Sequence, residues 1–383
     1  MDNVMNSATS IIKVIRFIKI YGLARTLTKV LGRLRPKFKL WLILRFPLYS
    51  SNGKKVVIIG CGHHAYSSIA YFLTKSTNCN IISVIDIDQQ ASNSLAYAYN
   101  STGGNSQMVG EDDTIPDLAF ICSNHASHTQ YAVEYLNKGC DVFIEKPISI
   151  NMEQLELLDR TVKDTGSKIF VGYNRPHSPA IRIIKNYSHN THLPFTLSCF
   201  ITGHYIPADH WYRDPNEGTR IVSNLGHWLD LSVNFLFTTE DIPSYLDIAI
   251  SYSNQDTPSD NIVVTMVSPR NDLINITFTS RSEPFEGVNE SINFQQSDLI
   301  AKIDDFRTTN IWKGTRYRKF RHWPKNNGHK ATVLQPFIQS SFRHWEEVKV
   351  STRLMLHIEN MVLSHKSRKR FILNYETDST KHS

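Results

Sequence analysis

Cysteine is scarce in this chain and scattered. Its five cysteines (61, 79, 122, 140 and 199) form no Cys-x-x-Cys pair and sit beside no histidine-rich pairing. That spacing argues against a zinc site, so no metal is expected. It leaves reduced thiols acting as small apolar residues, as in a reducing cytoplasm. A long apolar run is missing too. Spanning a bilayer takes ~18 uninterrupted apolar residues, whereas Leu40-Trp41-Leu42-Ile43-Leu44 is closed off by Lys39 and Arg45. Charges interleaved in this way do not make a secretory signal, which places its charges ahead of an apolar block. Acid is almost absent from residues 1–50, where ten Lys or Arg stand against Asp2. The net charge of +7 therefore divides into +9 for that segment and −2 for the other 333 residues. The basicity belongs to an N-terminal extension (1–53) and says nothing of what the main body binds.

What the extension does have is an amphipathic pattern. Lys13, Arg16 and Lys19 recur every three residues, then Arg25, Lys29 and Arg33 every four, with Ile11, Ile15, Ile18, Leu27 and Leu31 among the apolar residues between them. This spacing predicts helix, which Pro36 ends. With Phe38, Trp41 and Phe46 following, residues 11–46 can lie peripherally on the anionic inner face of a membrane. The same pattern serves an extension docked on the body or on another subunit, and the sequence leaves both open.

At 383 residues the chain has room for two domains. The first is expected over 54–175. Apolar residues Val56 to Ile59 end at Gly60-Cys61-Gly62-His63-His64-Ala65, and Tyr66 to Leu73 continues as helix. A strand, a Gly-x-Gly turn and a helix N-terminus form the arrangement that holds a dinucleotide pyrophosphate. Gly60 permits the turn, Gly62 keeps a side chain away from the phosphates, and Ala65 lets helix and strand pack closely. A second strand, Asn80–Ile85, ends at Asp86, 24 residues after Gly62. An acid at this offset accepts hydrogen bonds from the ribose and repels a 2′-phosphate, which favours NAD over NADP. Further strands are expected at 117–122, 141–144 and 168–171, alternating with helices, as in a parallel doubly wound sheet. Polar clusters follow their carboxyl ends, where such sheets bind ligands: Ser123-Asn124-His125-x-x-His128, Glu145-Lys146-Pro147 and Gly172-Tyr173-Asn174-Arg175.

The second domain, 176–383, reads as α+β. Strands are expected at Phe195–Ile201, Tyr245–Tyr252, Asn261–Met266, Leu273–Ser280 and Ser291–Gln295, with helices at Arg220–Leu236 and His344–Leu363. Lys313, Arg316, Arg318, Lys319 and Arg321 alternate with aromatics. This run reads as a strand with one solvated face rather than as a nucleic-acid surface, and no nucleic-acid partner is expected. Lys366, Arg368, Lys369 and Arg370 read as a solvated helix end.

Taken in order, the Gly-x-Gly turn, Asp86, the 123–128 loop, Glu145-Lys146-Pro147, Gly172-Tyr173-Asn174-Arg175 and Gly226-His227-Trp228-Leu229-Asp230 resemble the glucose–fructose oxidoreductase/inositol dehydrogenase (Gfo/Idh/MocA) family from residue 54 to about 370. The resemblance implies a Rossmann NAD-binding domain and a second domain with a large, mostly antiparallel sheet, often used in homo-oligomers. It also implies hydride transfer between nicotinamide and a sugar carbon. The Trp211-Tyr212-Arg213-Asp214-Pro215 stretch and the approach through Arg220 look most like members acting on nucleotide-linked sugars. Asp304-Asp305-Phe306-Arg307 and Asn327-Gly328-His329-Lys330 are similar to members linked to cell-surface polysaccharide synthesis.

By the same resemblance, Lys146 and His227 carry proton transfer. The cofactor contacts Gly60, Gly62, His63, His64, Ala65, Asp86, Ser123, Asn124, His125, His128, Glu145, Lys146 and Asn174. Substrate contacts fall to Lys146, Tyr173, Arg175, Tyr212, Arg213, Arg220, Asn224 and His227. By their chemistry the three arginines are candidate clamps for a carboxylate or phosphate, and each serves equally well as a structural ion-pair partner. One departure stands out. Where family members place an acid three or four residues before the histidine, this chain has Ser223 and Asn224. Neither can hold a negative charge or raise the basicity of His227. Three functions therefore stay open: an NAD-dependent sugar oxidoreductase, a non-catalytic NAD-binding scaffold, and NAD-assisted redox-neutral glycoside cleavage.

Overall fold

The computed structural model describes residues 7–35, 39–40, 53–101, 104–105, 115–188, 192–239, 241–282, 285–338 and 343–373. The expected helix stop at Pro36, and Phe38, Trp41 and Phe46, lie outside them. No helix among the described residues is long and apolar enough to cross a membrane.

Six strands make the first sheet: β1 (Lys55–Ile59), β2 (Asn80–Ile85), β3 (Gly104–Asn105), β4 (Leu118–Ile121), β5 (Asp141–Ile144) and β6 (Ile169–Val171), ordered β3-β2-β1-β4-β5-β6 and all parallel. Val56–Ile59 and Leu118–Ile121 are buried throughout, as expected for strands covered on both faces. The strand order reverses between β1 and β4, so a crevice opens beyond their carboxyl ends. Gly60 turns there with φ 84°, and a Cβ on it would stand 2.4 Å from the Cys122 carbonyl carbon. Only glycine fits.

The helices around this sheet begin and end on local signals. A π turn, Ala65–Ile69, leads into α3 (Ala70–Ser76). The Asp88 carboxylate caps α4 (Gln89–Tyr99), and α5 spans His128–Asn137. Asn151 caps α6 (Met152–Thr165), which stops at left-handed Gly166. Ser178 caps α7 (Pro179–Tyr187), which carries the chain away from the first sheet.

The second sheet has nine strands: β7 (Phe195–Thr202), β8 (Tyr245–Tyr252), β9 (Asn261–Val267), β10 (Leu273–Thr279), β11 (Asn289–Gln296), β12 (Leu299–Asp304), β13 (Thr308–Lys313), β14 (Arg316–Arg321) and β15 (Arg368–Ile372). Their order is β14-β13-β12-β11-β7-β10-β9-β8-β15, antiparallel except for β7 beside β10. Burial alternates along β7, β11 and β12, so one face is packed and the other is open. A π turn, Ile221–Leu225, and α8 (Gly226–Leu236) belong to this core, as does α10 (Trp345–Leu363), which packs on α8. A short α9 spans His329–Val333.

Five of the nine strands follow the sequence expectation closely, whereas β12, β13 and β15 go beyond it. The Lys313–Arg321 run is not one strand with a single solvated face: Lys313 ends β13, the chain turns at Gly314, and Arg316–Arg321 form the edge strand β14, which has no buried residue. The C-terminal basic cluster requires correction. The helix α10 ends at Leu363, and Arg368, Lys369 and Arg370 lie on β15, which pairs with β8 at the other edge. Alternate charged residues suit an edge strand as well as they suit a helix end.

The extension folds into a hairpin, α1 (Ser7–Tyr21) and α2 (Leu23–Leu34), that turns at Gly22 (φ 77°) and docks on the body. The Ile20 carbonyl accepts from Lys325 N (2.8 Å), the Lys19 carbonyl accepts from the Trp323 indole (2.8 Å), and Arg16 pairs with Glu286 (3.1 Å). Arg25 donates to the Ser67 carbonyl and Arg35 to the Cys61 carbonyl. Gly32 passes so close that a Cβ would sit 3.0 Å from the Tyr66 ring and 3.1 Å from His63 Nδ1. The hairpin therefore rests on the glycine turn itself.

Candidate active site

The turn after β1 holds the expected dinucleotide features in one place. A Cβ on Gly62 would meet nothing within 4 Å, so space for a phosphate lies open at the helix start. Ala65 is fully buried. Asp86, at the end of β2, accepts from Cys61 N (2.5 Å) and Asp88 N (2.8 Å), which brings its carboxylate against the turn. These residues fit a dinucleotide: a turn with no side chain at its centre, and an acceptor one strand away.

Beyond β4 and β5 the polar clusters interlock. His64 Nε2 lies 3.2 Å from Glu145 Oε1. Burial would raise the Glu145 carboxyl, but the His64 imidazole and Lys146 outweigh it and hold the carboxyl low. Asn124 donates to Glu217 Oε1 (2.5 Å), and His125 Nδ1 lies 2.9 Å from the Glu217 carbonyl. Burial, with the charge of Lys146, pushes His125 down to about 2, so its ring is neutral. Ser123 accepts from Ser127 Oγ (2.7 Å). His63, beneath Gly32, is pushed down to about 4 by burial.

A cavity of about 840 Å³ opens between the domains, and Lys146, His227, Tyr212 and Asn224 all line it. Lys146 Nζ donates to Tyr212 Oη (2.7 Å) and to the Ser223 carbonyl (3.2 Å), which joins the end of β5 to the second domain. His227 is held neutral by burial, reinforced by Arg175 and Lys146. Its Nδ1 is buried and has no hydrogen-bond partner among the described residues. Asn224 Oδ1 accepts from Arg220 Nε (3.1 Å). Lys146 and His227 start 81 positions apart in sequence and face one space.

Other expected contacts are engaged elsewhere. Tyr173 is fully buried, with its hydroxyl on Met355 Sδ (3.3 Å), in the core behind the cavity. Asn174 donates to the Asn327 carbonyl (2.9 Å) and accepts from Arg175. His128 is buried between the Pro147 and Ser123 carbonyls at 2.7 and 3.1 Å, tying the two loops together. The three arginines expected as clamps already hold protein carboxylates. Arg175 grips Glu290 through Nε (3.2 Å) and Nη2 (2.8 Å), while Arg213 and Arg220 share Asp260 at 2.9 and 2.7 Å. Arg175 still lines the cavity; Arg213 and Arg220 do not.

Sequence reasoning missed three contributors. Glu290, from β11, holds both Arg175 and the Trp228 indole (2.9 Å). His329 enters the cavity wall 5.7 Å from the His64 ring, because Gly328 (φ 103°) lets the backbone approach Asn174. The third is the hairpin, whose Lys13, Phe17, Tyr21, Lys29 and Arg33 form one wall. The amphipathic spacing of these residues was the available signal, but it did not say which surface they would meet.

Comparison with known proteins places the first half of this geometry. Residues 54–173 match the family model described as "Oxidoreductase family, NAD-binding Rossmann fold". A glucose-6-phosphate 3-dehydrogenase of Bacillus subtilis is 28% identical over 146 residues, covering 38% of this chain and 41% of that protein. The match thus spans about two fifths of the length of such relatives. Among solved structures, a Gfo/Idh/MocA family oxidoreductase from Vibrio cholerae is similar at a TM-score of 0.65 and 16% identity, covering 82% of this chain and 99% of that one. GenD2 from gentamicin A biosynthesis, solved in complex with NAD, is similar at a TM-score of 0.67 and 14% identity, covering 86% and 99%. At those identities the likeness shows the fold of both domains. Over residues 54–173 the chain is thus similar to the NAD-binding domain of the Gfo/Idh/MocA oxidoreductases.

Proposed function

We propose that this protein is an NAD-dependent oxidoreductase that moves a hydride between nicotinamide and a hydroxyl-bearing carbon of a sugar, the sugar being joined to a phosphate or nucleotide. The observation that carries the reading is that Lys146 and His227, from different domains, line one cavity beside the Gly60–Ala65 turn. Gly60, Gly62, Ala65 and Asp86 would hold the cofactor, and the Asp86 carboxylate favours NAD over NADP. Bound there, nicotinamide supplies the hydride acceptor.

The chain's own residues supply the rest. Oxidation turns a secondary alcohol into a ketone, so a hydroxyl proton must leave as the hydride does. Lys146 and Tyr212, joined at 2.7 Å, offer a relay for that proton, and the unpartnered His227 Nδ1 offers an acceptor or donor to a substrate hydroxyl. Ser223 contributes its carbonyl to hold Lys146. With no acid in the preceding turn, His227 stays neutral and orients substrate more readily than it drives deprotonation. Assays of NADH formation with sugar phosphates and sugar nucleotides test this. Lys146→Ala should cut kcat by roughly 10²–10⁴-fold, the usual worth of general acid–base catalysis; activity surviving that change overturns the role of Lys146 in the relay. A scaffold would bind NAD and turn nothing over, and redox-neutral cleavage would release product without NADH.

Two further placings belong with this reading. The open face of the nine-stranded sheet, which exposes Phe200 and Ile300, offers a surface for a homo-oligomer. Ile11, Ile12, Ile15 and Leu23 point outward from the docked hairpin, beside Arg16 and Lys19, and suit peripheral contact with an anionic membrane. Flotation with phosphatidylserine liposomes checks the second placing, and absence of binding at low salt removes it.

A further inference from the structure

We propose that the N-terminal hairpin is the anion-recognition wall of the cavity, and that Lys29, flanked by Arg33 and Lys13, receives a phosphate group carried by the substrate. This rests on the sugar-oxidoreductase reading above and names the substrate chemistry of that same cavity.

The distribution of charge around the cavity carries the proposal. Its lining holds Lys13, Lys29, Arg33, Lys146, Arg175 and Lys325 against only Glu286 and Glu290. On the body side each cation has a protein partner. Arg175 holds Glu290, Lys325 holds Asp305 (2.6 Å), and Lys146 donates to Tyr212 and the Ser223 carbonyl. Glu286 is taken by Arg16. On the hairpin side, none of Lys13, Lys29 and Arg33 has an ion pair with a described carboxylate. Lys29 lies over the rings of Tyr21 (4.1 Å) and Phe17 (5.1 Å). Burial, reinforced by Arg25, Lys325 and Arg33, pushes its ammonium down to about 7. A desolvated ammonium beside like charges is costly without a counter-ion, and an anion arriving there removes that cost.

Helix geometry makes the cluster a site rather than a scatter. Lys29 and Arg33 are four residues apart on α2 and so project from one face, and Lys13 reaches the same cavity from α1. Several converging cations suit the multiple negative oxygens of a phosphate ester or diphosphate better than a single carboxylate. The cofactor's own diphosphate belongs to the glycine turn, where Arg35 meets the Cys61 carbonyl.

The test uses the full-length protein saturated with NAD and titrated calorimetrically with glucose, glucose 6-phosphate, UDP-glucose and inorganic pyrophosphate. At least one phosphate-bearing probe should bind ten times more tightly than glucose. The K29Q/R33Q variant should lose that tenfold advantage while its NAD affinity stays within twofold. K29R should retain most of the binding. Preference between glucose 6-phosphate and UDP-glucose tells a sugar phosphate from a sugar nucleotide. Unchanged probe affinity in K29Q/R33Q, equal weakening of NAD, or no binding of any phosphate probe overturns the proposal. If the double variant misfolds by circular dichroism, the single variants K29Q and R33Q give the same readout. Absence of NADH formation would sink the enzymatic reading and leave these binding results standing.

Discussion

The two walls of the cavity handle positive charge in opposite ways. On the body side, Arg175 is buried against Glu290, and Glu290 also holds the Trp228 indole. On the hairpin side, Lys29 leans on aromatic faces, with Arg25 and Arg33 as its charged neighbours. A paired buried charge is part of the fold. An unpaired one is a cost the fold tolerates, and tolerance of that kind is expected where a ligand completes the site.

Breaking the body wall should have the largest effect. Glu290→Ala leaves Arg175 buried without a carboxylate and should destabilise the protein by about 3–5 kcal/mol, measured by urea denaturation. A loss below about 1 kcal/mol would contradict the pairing described. Prying the hairpin off should cost less. Gly32→Ile forces side-chain atoms against Tyr66 and His63, with an overpacking cost of about 1–3 kcal/mol. Amide exchange across residues 7–35 should accelerate selectively; uniform exchange rates in parent and variant would mean that the contact at Gly32 does not secure the hairpin.

The smallest effect separates the walls by pH. Lys29 titrates near 7 in the folded protein and near ~10.4 when unfolded. Between those values the unfolded chain binds a proton that the folded one does not, so this group's contribution to stability rises with pH from 7 to 10. It is least favourable below 7. The charges acting on it are Arg25 and Arg33 on its own helix and Lys325 across the cavity. His63 and His329 stay neutral, and Tyr21, pushed up to about 12, stays protonated. Lys29→Met should therefore stabilise the protein at pH 6 by about 1 kcal/mol, after allowance for partial exposure, with the gain shrinking towards pH 10. Thermal melts across that range check it, and a gain that grows with pH refutes it.

The nucleotide-binding half was largely legible in the sequence because its signals are local. An apolar strand, two glycines and an acid at the next strand end sit within about thirty residues, and each has a single steric or electrostatic reason to be there. The cavity was legible only in part. Lys146 and His227 could be named, but the partnership of Lys146 with Tyr212 joins residues 66 positions apart through tertiary folding. The arginines 175, 213 and 220 illustrate the limit. A guanidinium that clamps a ligand and one that grips Asp260 or Glu290 look alike in a sequence. Tyr173 and Asn174 fall under the same limit, since a polar tip that meets a ligand and one that meets Met355 or a backbone carbonyl carry the same letter. The hairpin showed its amphipathic spacing plainly, yet that spacing is satisfied equally by lipid and by protein.

The two basic strands that close the nine-stranded sheet set a rule for how copies of the molecule can meet. Strand β14 carries Arg316, Arg318, Lys319 and Arg321, and β15 carries Arg368, Lys369 and Arg370. Strand-to-strand extension would press like charges together whichever rims were joined, so growth into open-ended fibres is opposed at both ends. Sheet-to-sheet pairing would instead use the open face, where two identical surfaces facing one another would make a closed, self-limiting pair.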